Sequence, residues 1–294
     1  MTRLVNIESA AEDPAALDAL LVQYVSFCHK TDIPHYVCKH SVLYVQWMFR
    51  HLHGLLPRTW DAIKSWHLSR PWRPRTPFSE EVILFLFLRG LEHVVSEPAS
   101  VEAAQEFLVG LLCWTAFAGL LRPGETLKLR WNDVRIVEQA GATVCIVAIR
   151  LPKTKAFMGR MQFSLIRDPR LCKWLEWAKG HCQNVDKTIW PQAQHQFRAL
   201  LKNVLRREGL NKLRYTLGSC RPGGATTRFI AGESVERLQF QGRWSSTSSL
   251  KSYIQESMAW LCWAALPPRI ESHVRKSVSS FAHVLSSPPI RGPR

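Results

Sequence analysis

The side chains best suited to chemistry in this chain of 294 residues are those of two arginines, a tryptophan and a tyrosine. Arg122 begins the run Arg-Pro-Gly-Glu, Arg221 begins the run Arg-Pro-Gly-Gly-Ala-Thr, and Tyr253 follows Trp244 by nine residues. Breaking and rejoining a phosphodiester requires a covalent nucleophile, cationic donors for the non-bridging oxygens and an acid for the leaving hydroxyl. Arginine suits the second task because its planar guanidinium binds phosphate bidentately and stays charged. The set therefore indicates phosphoryl transfer.

The distribution of charge indicates a polyanionic partner. The formal net charge is +16; residues 1–150 carry 15 basic and 15 acidic side chains, whereas residues 151–250 carry 18 and 6. Nucleic acid is the commonest partner of so basic a region, and we predict double-stranded DNA. One predicted helix carries Arg198, Lys202 and Arg206 on its exposed face, where they would contact backbone phosphates and position the DNA. A solvated basic face without a ligand is the alternative.

Helical periodicity dominates the elements that must position these residues. Amphipathic helices in residues 1–75 predict a small all-α domain, and three prolines and three arginines at 66–78 predict its linker. Residues 79–266 read as helical except at 134–166, where the pattern predicts two or three antiparallel strands. Residues 267–294 are rich in proline and serine and are expected to form a loose tail. The predicted fold class is α+β: a mostly helical catalytic domain with a small antiparallel β-sheet, preceded by the all-α domain.

Three segments resemble the motifs of the tyrosine recombinase, or phage integrase, family. Residues 115–134 (TAFAGLLRPGETLKLRWNDV) are similar to its first motif, in which a helix ends in glycine before the first catalytic arginine. Residues 218–227 (GSCRPGGATT) resemble its second motif, in a form that looks closest to eukaryotic retroelement-type members. Residues 242–246 (GRWSS) and Tyr253 resemble its third motif, in which His or Trp precedes the nucleophilic tyrosine by nine positions. The resemblance covers roughly residues 80–260.

The resemblance implies a site-specific recombinase or integrase of a mobile element and assigns its catalytic roles. Arg122 and Arg221 would clamp the scissile phosphate, Glu125 would support the site, and Trp244 would donate its indole N–H. Tyr253 would attack the phosphorus, form a 3′-phosphotyrosyl link and release a 5′-hydroxyl. Because a phenol is protonated at neutral pH, the reaction requires cationic neighbours around Tyr253.

A lysine on a β-hairpin turn normally completes the family's site by protonating the leaving 5′-hydroxyl. The turn predicted at 152–159 offers Lys153 and Lys155, and the position of Lys155 before the next strand favours it. Nearby arginines would make such an ammonium a better proton donor. Arg243, beside Trp244, is a further expected DNA contact.

The second motif departs from the family at Gly218, where a His, sometimes a Lys, is expected. Either another residue assists Tyr253, for example Ser219 through a water molecule, or the enzyme is impaired. Two alternative functions follow. One is a DNA-binding descendant without catalysis, which would bind DNA with a steep salt dependence. The other is a monomeric relaxase like the type IB topoisomerases, which shares the tyrosine chemistry.

The expected assembly is a homo-tetramer on two DNA sites, with no cofactor and no metal. Eight cysteines without a CxxC pair predict reduced thiols and an intracellular protein, nuclear in a eukaryote. One cluster has metal-binding residue types in an unusual spacing, which makes zinc a weaker alternative; it comprises Cys28, His29, His35, Cys38 and His40. The apolar run 107–121 is shorter than a membrane span and predicts a buried helix.

Overall fold

The chain divides into two compact units, Met1–Arg73 and Pro74–Arg294. The computed structural model describes residues 10–69, 76–139, 141–150, 152, 159 and 161–288. Each unit has its own buried apolar core.

Three α-helices form the described part of the smaller unit: α1 (Pro14–Lys30), α2 (His35–Met48) and α3 (Pro57–Ser69). Asp13 caps the start of α1, because its carboxylate accepts the N–H groups of Ala15 and Ala16. Asp18 is buried and accepts the backbone N–H of Thr59 at 2.8 Å, which ties α1 to α3. Trp66 lies in this core, so the predicted linker begins too early: residues 66–69 belong to α3.

The larger unit begins with an antiparallel helix pair, α4 (Glu80–Ser96) and α5 (Val101–Ala118). Ser79 and Ser100 cap these helices through their hydroxyls. Among the described residues, α5 is the one helix long and apolar enough to cross a membrane, and 67% of it is buried inside the protein. That burial is what a core helix requires, as the sequence predicts.

A short helix, α6 (Pro123–Thr126), leads into the three strands β1 (Val134–Gln139), β2 (Ala142–Ile149) and β3 (Gln162–Ile166). They form an antiparallel sheet in the order β1-β2-β3. Alternate residues of β2, such as Cys145 and Val147, are fully buried, so one face of the sheet packs on the helices. The predicted α+β class, mostly helical with a small antiparallel sheet, is confirmed.

In the described residues, eight α-helices follow the sheet. They are α7 (Pro169–Gly180), α8 (Gln194–Arg207), α9 (Cys220–Ile230), α10 (Val235–Gly242), α11 (Thr247–Lys251), α12 (Glu256–Ala264), α13 (Pro268–Ser280) and α14 (Ala282–Ser286). Arg221 lies on α9, Trp244 lies between α10 and α11, and Tyr253 lies between α11 and α12. Helix α9 packs directly against α5.

The loose tail predicted for 267–294 is wrong over its described residues. Helix α13 buries Val274 and packs on α4, and α14 buries Leu285. The indole N–H of Trp174 donates to the carbonyl oxygen of Leu285 at 3.1 Å. The prediction weighed prolines and serines, but Pro268 stands at the first helical turn, where proline is well tolerated.

Two adjacent glycines let α9 approach the backbone of its neighbours. A Cβ atom on Gly223 would lie 2.3 Å from the carbonyl oxygen of Phe78. A Cβ atom on Gly224 would lie 2.1 Å from that of Phe117. Neither carbonyl can move without displacing a chain segment, so the two glycines set the position of Arg221, which precedes them on the same helix.

We therefore expect Gly224→Ala to shift α9 and to lower the free energy of unfolding by about 3 kcal/mol, at the upper end of what overpacking costs. The midpoint of urea unfolding measures this effect. Gly124→Ala is the matched control, because a Cβ atom there meets nothing within 4 Å and alanine favours the helix. Equal stability of the two variants would contradict the close approach.

Candidate active site

Arg122 is held by the turn that joins α5 to α6. The carboxylate of Glu125 accepts the backbone N–H of Arg122 at 2.9 Å and its Nη1 group at 2.8 Å. Glu125 is buried, whereas the Arg122 side chain remains 20% exposed. One carboxylate therefore caps α6 and orients the Arg122 guanidinium towards a partly open surface.

Arg221 lies at the start of α9 and is among the largest fully buried side chains in the described residues. Its Nη1 donates to the carbonyl oxygen of Leu120 and its Nη2 to that of Gly242. The guanidinium carbon lies 4.0 Å from the centre of the Trp244 ring. Two backbone carbonyls and an indole face therefore hold Arg221 in one orientation.

Arg243 corrects one sequence expectation. It was predicted to contact DNA, yet only 3% of it is exposed. Its Nη2 lies 3.0 Å from the Glu125 carboxylate and 3.2 Å from the Leu120 carbonyl oxygen. The residue has φ 59°, in the left-handed region, where it ends α10. That backbone turn directs the side chain into the protein, which the sequence pattern does not reveal.

Trp244 and Tyr253 come together beside Arg221. Their ring centres are 5.3 Å apart, at an angle of 64° between the planes. The Tyr253 ring centre lies 5.4 Å from the guanidinium carbon of Arg221. A Cβ atom on Gly242 would lie 1.5 Å from the Trp244 ring, so glycine is required for this placement.

Tyr253 lies between α11 and α12 and is partly exposed. Its carbonyl oxygen accepts the hydroxyl of Thr226 at 3.3 Å, and that hydroxyl accepts the N–H of Gln255 at 3.0 Å. Thr226 belongs to α9, the helix that carries Arg221. The second motif thus positions both an arginine and the tyrosine segment, a link that sequence reasoning missed.

The site carries three guanidinium groups against one carboxylate. Burial lowers the pKa of Arg221, and the charges of Arg122 and Arg243 lower it further. Burial also lowers the pKa of Arg243. Burial alone would raise the pKa of Glu125, but Arg243 and Arg122 outweigh it and the pKa falls below its usual value. All these shifts reflect an excess of buried positive charge, which a bound anion would relieve.

Three buried N–H donors of this cluster have no acceptor among the residues that the structure describes. They are Nε of Arg221, Nε of Arg243 and the indole Nε1 of Trp244. A buried donor without an acceptor destabilises the folded protein, and a native structure holds few of them. The cluster therefore has both the charge and the free donors of an anion site.

Helix α8 presents the predicted basic stripe, since Arg198, Lys202 and Arg206 are exposed. The first two line a groove of about 520 Å³ that also contains Pro123 and Gly218. Cationic side chains of α8 thus border the position where the family's second motif has a histidine.

Ser219, the residue considered as a substitute for that histidine, is only 1% exposed. Its hydroxyl oxygen accepts the backbone N–H of Thr216 at 3.1 Å. The side chain therefore has a structural contact and little access to solvent. Lys153 and Lys155 lie outside the described residues, so the proton donor stays a prediction.

The weaker zinc alternative gains no support from side-chain geometry. In the described part of the chain, no three His, Cys, Asp or Glu side chains gather as metal ligands. Cys28 and Cys38 are fully buried beside each other, and burial together with that contact raises the pKa of Cys38 to about 12.

Comparison with known proteins identifies the fold. No family model and no curated protein matches the sequence. The XerH site-specific recombinase bound to palindromic difH substrate, a post-cleavage complex, matches with a TM-score of 0.51 and 13% identity, covering 80% of this chain and 68% of that chain. Its pre-cleavage complex with difH matches with a TM-score of 0.51 and 12% identity, covering 83% and 68%. XerA recombinase gives a TM-score of 0.44 at 14% identity, covering 90% of each chain.

The chain therefore has the fold of tyrosine recombinases, whose catalytic domains are mostly helical with a small antiparallel sheet. The low identities limit that likeness to the fold. The arrangement of the arginines, Trp244 and Tyr253 is observed in the structure of this chain and is not transferred from those proteins.

The role of Glu125 gives a pH-dependent expectation. Because its pKa is lowered in the folded protein, the ionised carboxylate stabilises the fold at neutral pH, and this stabilisation is lost as the pH falls through the folded-state pKa. Glu125→Gln should cost about 3 kcal/mol at pH 7, since it leaves buried cations without their counter-charge. The difference from the wild type should narrow below the usual glutamate pKa of about 4.3.

Urea unfolding at a series of pH values measures this difference. Glu271→Gln is the control, because its pair with Arg275 is exposed and is worth at most about 1 kcal/mol. A cost of Glu125→Gln that stays constant from neutral to acid pH would contradict the ionised pair.

Proposed function

We propose that this chain is a site-specific DNA recombinase that breaks and rejoins DNA through a 3′-phosphotyrosyl intermediate. One observation carries the proposal: the Tyr253 ring lies against a buried, positively charged cluster whose N–H donors include three without acceptors in the described residues. A phosphate is the anion that joins such a cluster to a tyrosine nucleophile. The fold shared with recombinases supports it.

The proposed reaction conserves one phosphodiester bond throughout. The phenolic oxygen of Tyr253 attacks the phosphorus and gives its proton to a water molecule, while the bond from phosphorus to the 5′-oxygen breaks. Lys155, or Lys153, protonates the leaving 5′-oxygen. The 5′-hydroxyl of a partner strand then attacks the phosphotyrosyl link and releases Tyr253. The link's energy is preserved, so strand joining needs no cofactor.

The arginines and Trp244 would act on the charge of the transition state. Arg122 is partly exposed and held by Glu125, so its free N–H groups are available to a non-bridging oxygen. Arg221 and Trp244 present fixed donors in a water-poor site, where electrostatic stabilisation is strongest. The geometry thus favours donors that need no rearrangement when charge develops.

Double-stranded DNA is the proposed substrate and partner. XerH is described as bound to its difH substrate in both complexes, and the exposed basic stripe of α8 gives this chain a surface for backbone phosphates. We further propose that the protein forms a homo-tetramer on two DNA sites and integrates a mobile element of the retroelement type. The proposed location is intracellular, and nuclear in a eukaryote.

Gly218 favours a second candidate function, a DNA-binding protein that has lost catalysis. No imidazole is available at that position to accept the Tyr253 proton, and Ser219 is engaged with the backbone of Thr216. Such a protein would retain the arginine cluster for phosphate binding and form no covalent link. A monomeric relaxase like the type IB topoisomerases remains a third reading of the same site.

Trapping the covalent link separates these functions. The full chain is incubated with a pool of nicked duplexes of randomised sequence, in which cleavage releases a short fragment and prevents rejoining. We expect an adduct that survives denaturant and maps by mass spectrometry to Tyr253, and no adduct from Tyr253→Phe. DNA binding without any adduct would select the non-catalytic protein, and an equal adduct from Tyr253→Phe would exclude Tyr253 as nucleophile. Relaxation of every supercoiled plasmid by the monomer would select the relaxase.

The basic stripe of α8 gives a salt-dependent expectation. If Arg198, Lys202 and Arg206 each neutralise one phosphate, replacing all three with alanine should reduce the slope of log affinity against log salt by about 3. Fluorescence anisotropy with a labelled duplex at several salt concentrations measures the slope. The matched control replaces Arg269, Arg275 and Lys276 of α13, which are also exposed. A larger loss from the α13 variant would place the DNA elsewhere.

A further inference from the structure

We propose that Arg243 is a positioning residue that couples Arg122 to Arg221. The inference rests on the proposed function, because it concerns how the two arginines are held for one phosphate. Arg243 contacts the anchors of both: the Glu125 carboxylate, which also binds Arg122, and the Leu120 carbonyl oxygen, which also binds Arg221. It is the residue that joins the two halves of the site.

The Arg122 side of the coupling consists of two contacts. Glu125 divides its carboxylate between them, with Oε1 at 2.8 Å from Arg122 and Oε2 at 3.0 Å from Arg243. The backbone carbonyl oxygen of Arg243 also lies 3.5 Å from Nη2 of Arg122. A displacement of Arg243 would therefore change the acceptors of Arg122 in two places.

The Arg221 side depends on the same short segment. Leu120 has φ 49°, and its carbonyl oxygen accepts hydrogen bonds from both Arg221 and Arg243. Gly242, the residue before Arg243, supplies the other acceptor of Arg221. The left-handed turn at Arg243 thus aims a carbonyl at Arg221 and a side chain at Glu125.

Direct contact of Arg243 with the phosphate is the competing role. Burial does not separate the roles of Arg243 and Arg221: they are 3% and 2% exposed, and the terminal nitrogens of both bind protein oxygens. Arg243 differs from Arg221 because it also binds the Glu125 carboxylate, which holds Arg122. These shared anchors favour an action of Arg243 through Arg122 and Arg221.

The test uses the duplex recovered by the covalent-trapping selection. Arg243→Ala should slow formation of the Tyr253 adduct by up to about 100-fold, which a misplacement of about 1 Å at a reacting centre can cost, with little change in DNA affinity. Arg243→Lys should be intermediate, because an ammonium can pair with Glu125 but cannot also reach Leu120 in the same plane. Arg207→Ala is the matched control: it also removes a partner of a buried glutamate, Glu106, and should leave the adduct rate per folded molecule unchanged.

A neutral substrate supplies a readout that a merely structural role would not move. Replacing the scissile phosphate with a methylphosphonate removes one negative non-bridging oxygen, so arginine placement matters less. The deficits of Arg243→Ala and Arg122→Ala should both shrink on this substrate. A deficit of Arg243→Ala that persists on the methylphosphonate, or an adduct rate equal to the wild type on the phosphate, would overturn the proposal.

A measurement without DNA separates this proposal from the proposed function. The side-chain Nε–H resonances of Arg122 and Arg221, assigned with lysine variants, should shift in Arg243→Ala, while that of Arg170 should not. Unshifted resonances would refute the coupling even if the wild type cleaves DNA. If Arg243→Ala shifts these resonances but the wild type forms no adduct, the coupling is supported and only the catalytic function is contradicted.

Discussion

The ion pair between the buried Glu125 carboxylate and two arginines is the interaction on which the rest of the site depends. Burying a cation costs several kcal/mol unless it is paired, and three cations meet here around one anion. Glu125 also caps α6, so one side chain both ends the chain reversal after α5 and lowers the repulsion among the guanidinium groups. Without the Glu125 carboxylate, the repulsion among the three guanidinium groups would have no counter-charge.

Backbone carbonyls complete what the carboxylate begins. Arg221 is anchored by the oxygens of Leu120, in the turn after α5, and of Gly242, at the end of α10, and its face rests on Trp244. These contacts require a close approach of α9 to α5, which the glycines after Arg221 permit. The small residues of the second motif thus have a structural role. They let α9 approach α5, which brings Arg221 to its backbone acceptors.

Sequence patterns predicted most elements of the larger unit but not the direction of every side chain. The resemblance of three motifs to the tyrosine recombinase family singled out Arg122, Arg221, Trp244 and Tyr253. The structure gathers these side chains in one cluster, and their catalytic roles stay a prediction. Arg243 was predicted to contact DNA, and its burial was not foreseen because a left-handed backbone at a non-glycine residue leaves no mark in composition. Helix α13 was not predicted because the serines and prolines were given more weight than the apolar residues at helical spacing. Those apolar residues pack against the core of the larger unit only once the protein has folded.

In the proposed reaction, charge stabilisation and proton transfer would depend on separate residues. The arginine cluster and the indole would supply the stabilisation, and none of their contacts described above involves Gly218. Gly218 would leave the removal of the Tyr253 proton without its usual acceptor. Two cationic side chains of α8 border that position, and positive charge there would favour the phenolate without accepting its proton. The cluster of buried cations destabilises the protein in isolation, so an anion that binds it must stabilise the fold, and this linkage holds for a catalytic and for a non-catalytic protein alike.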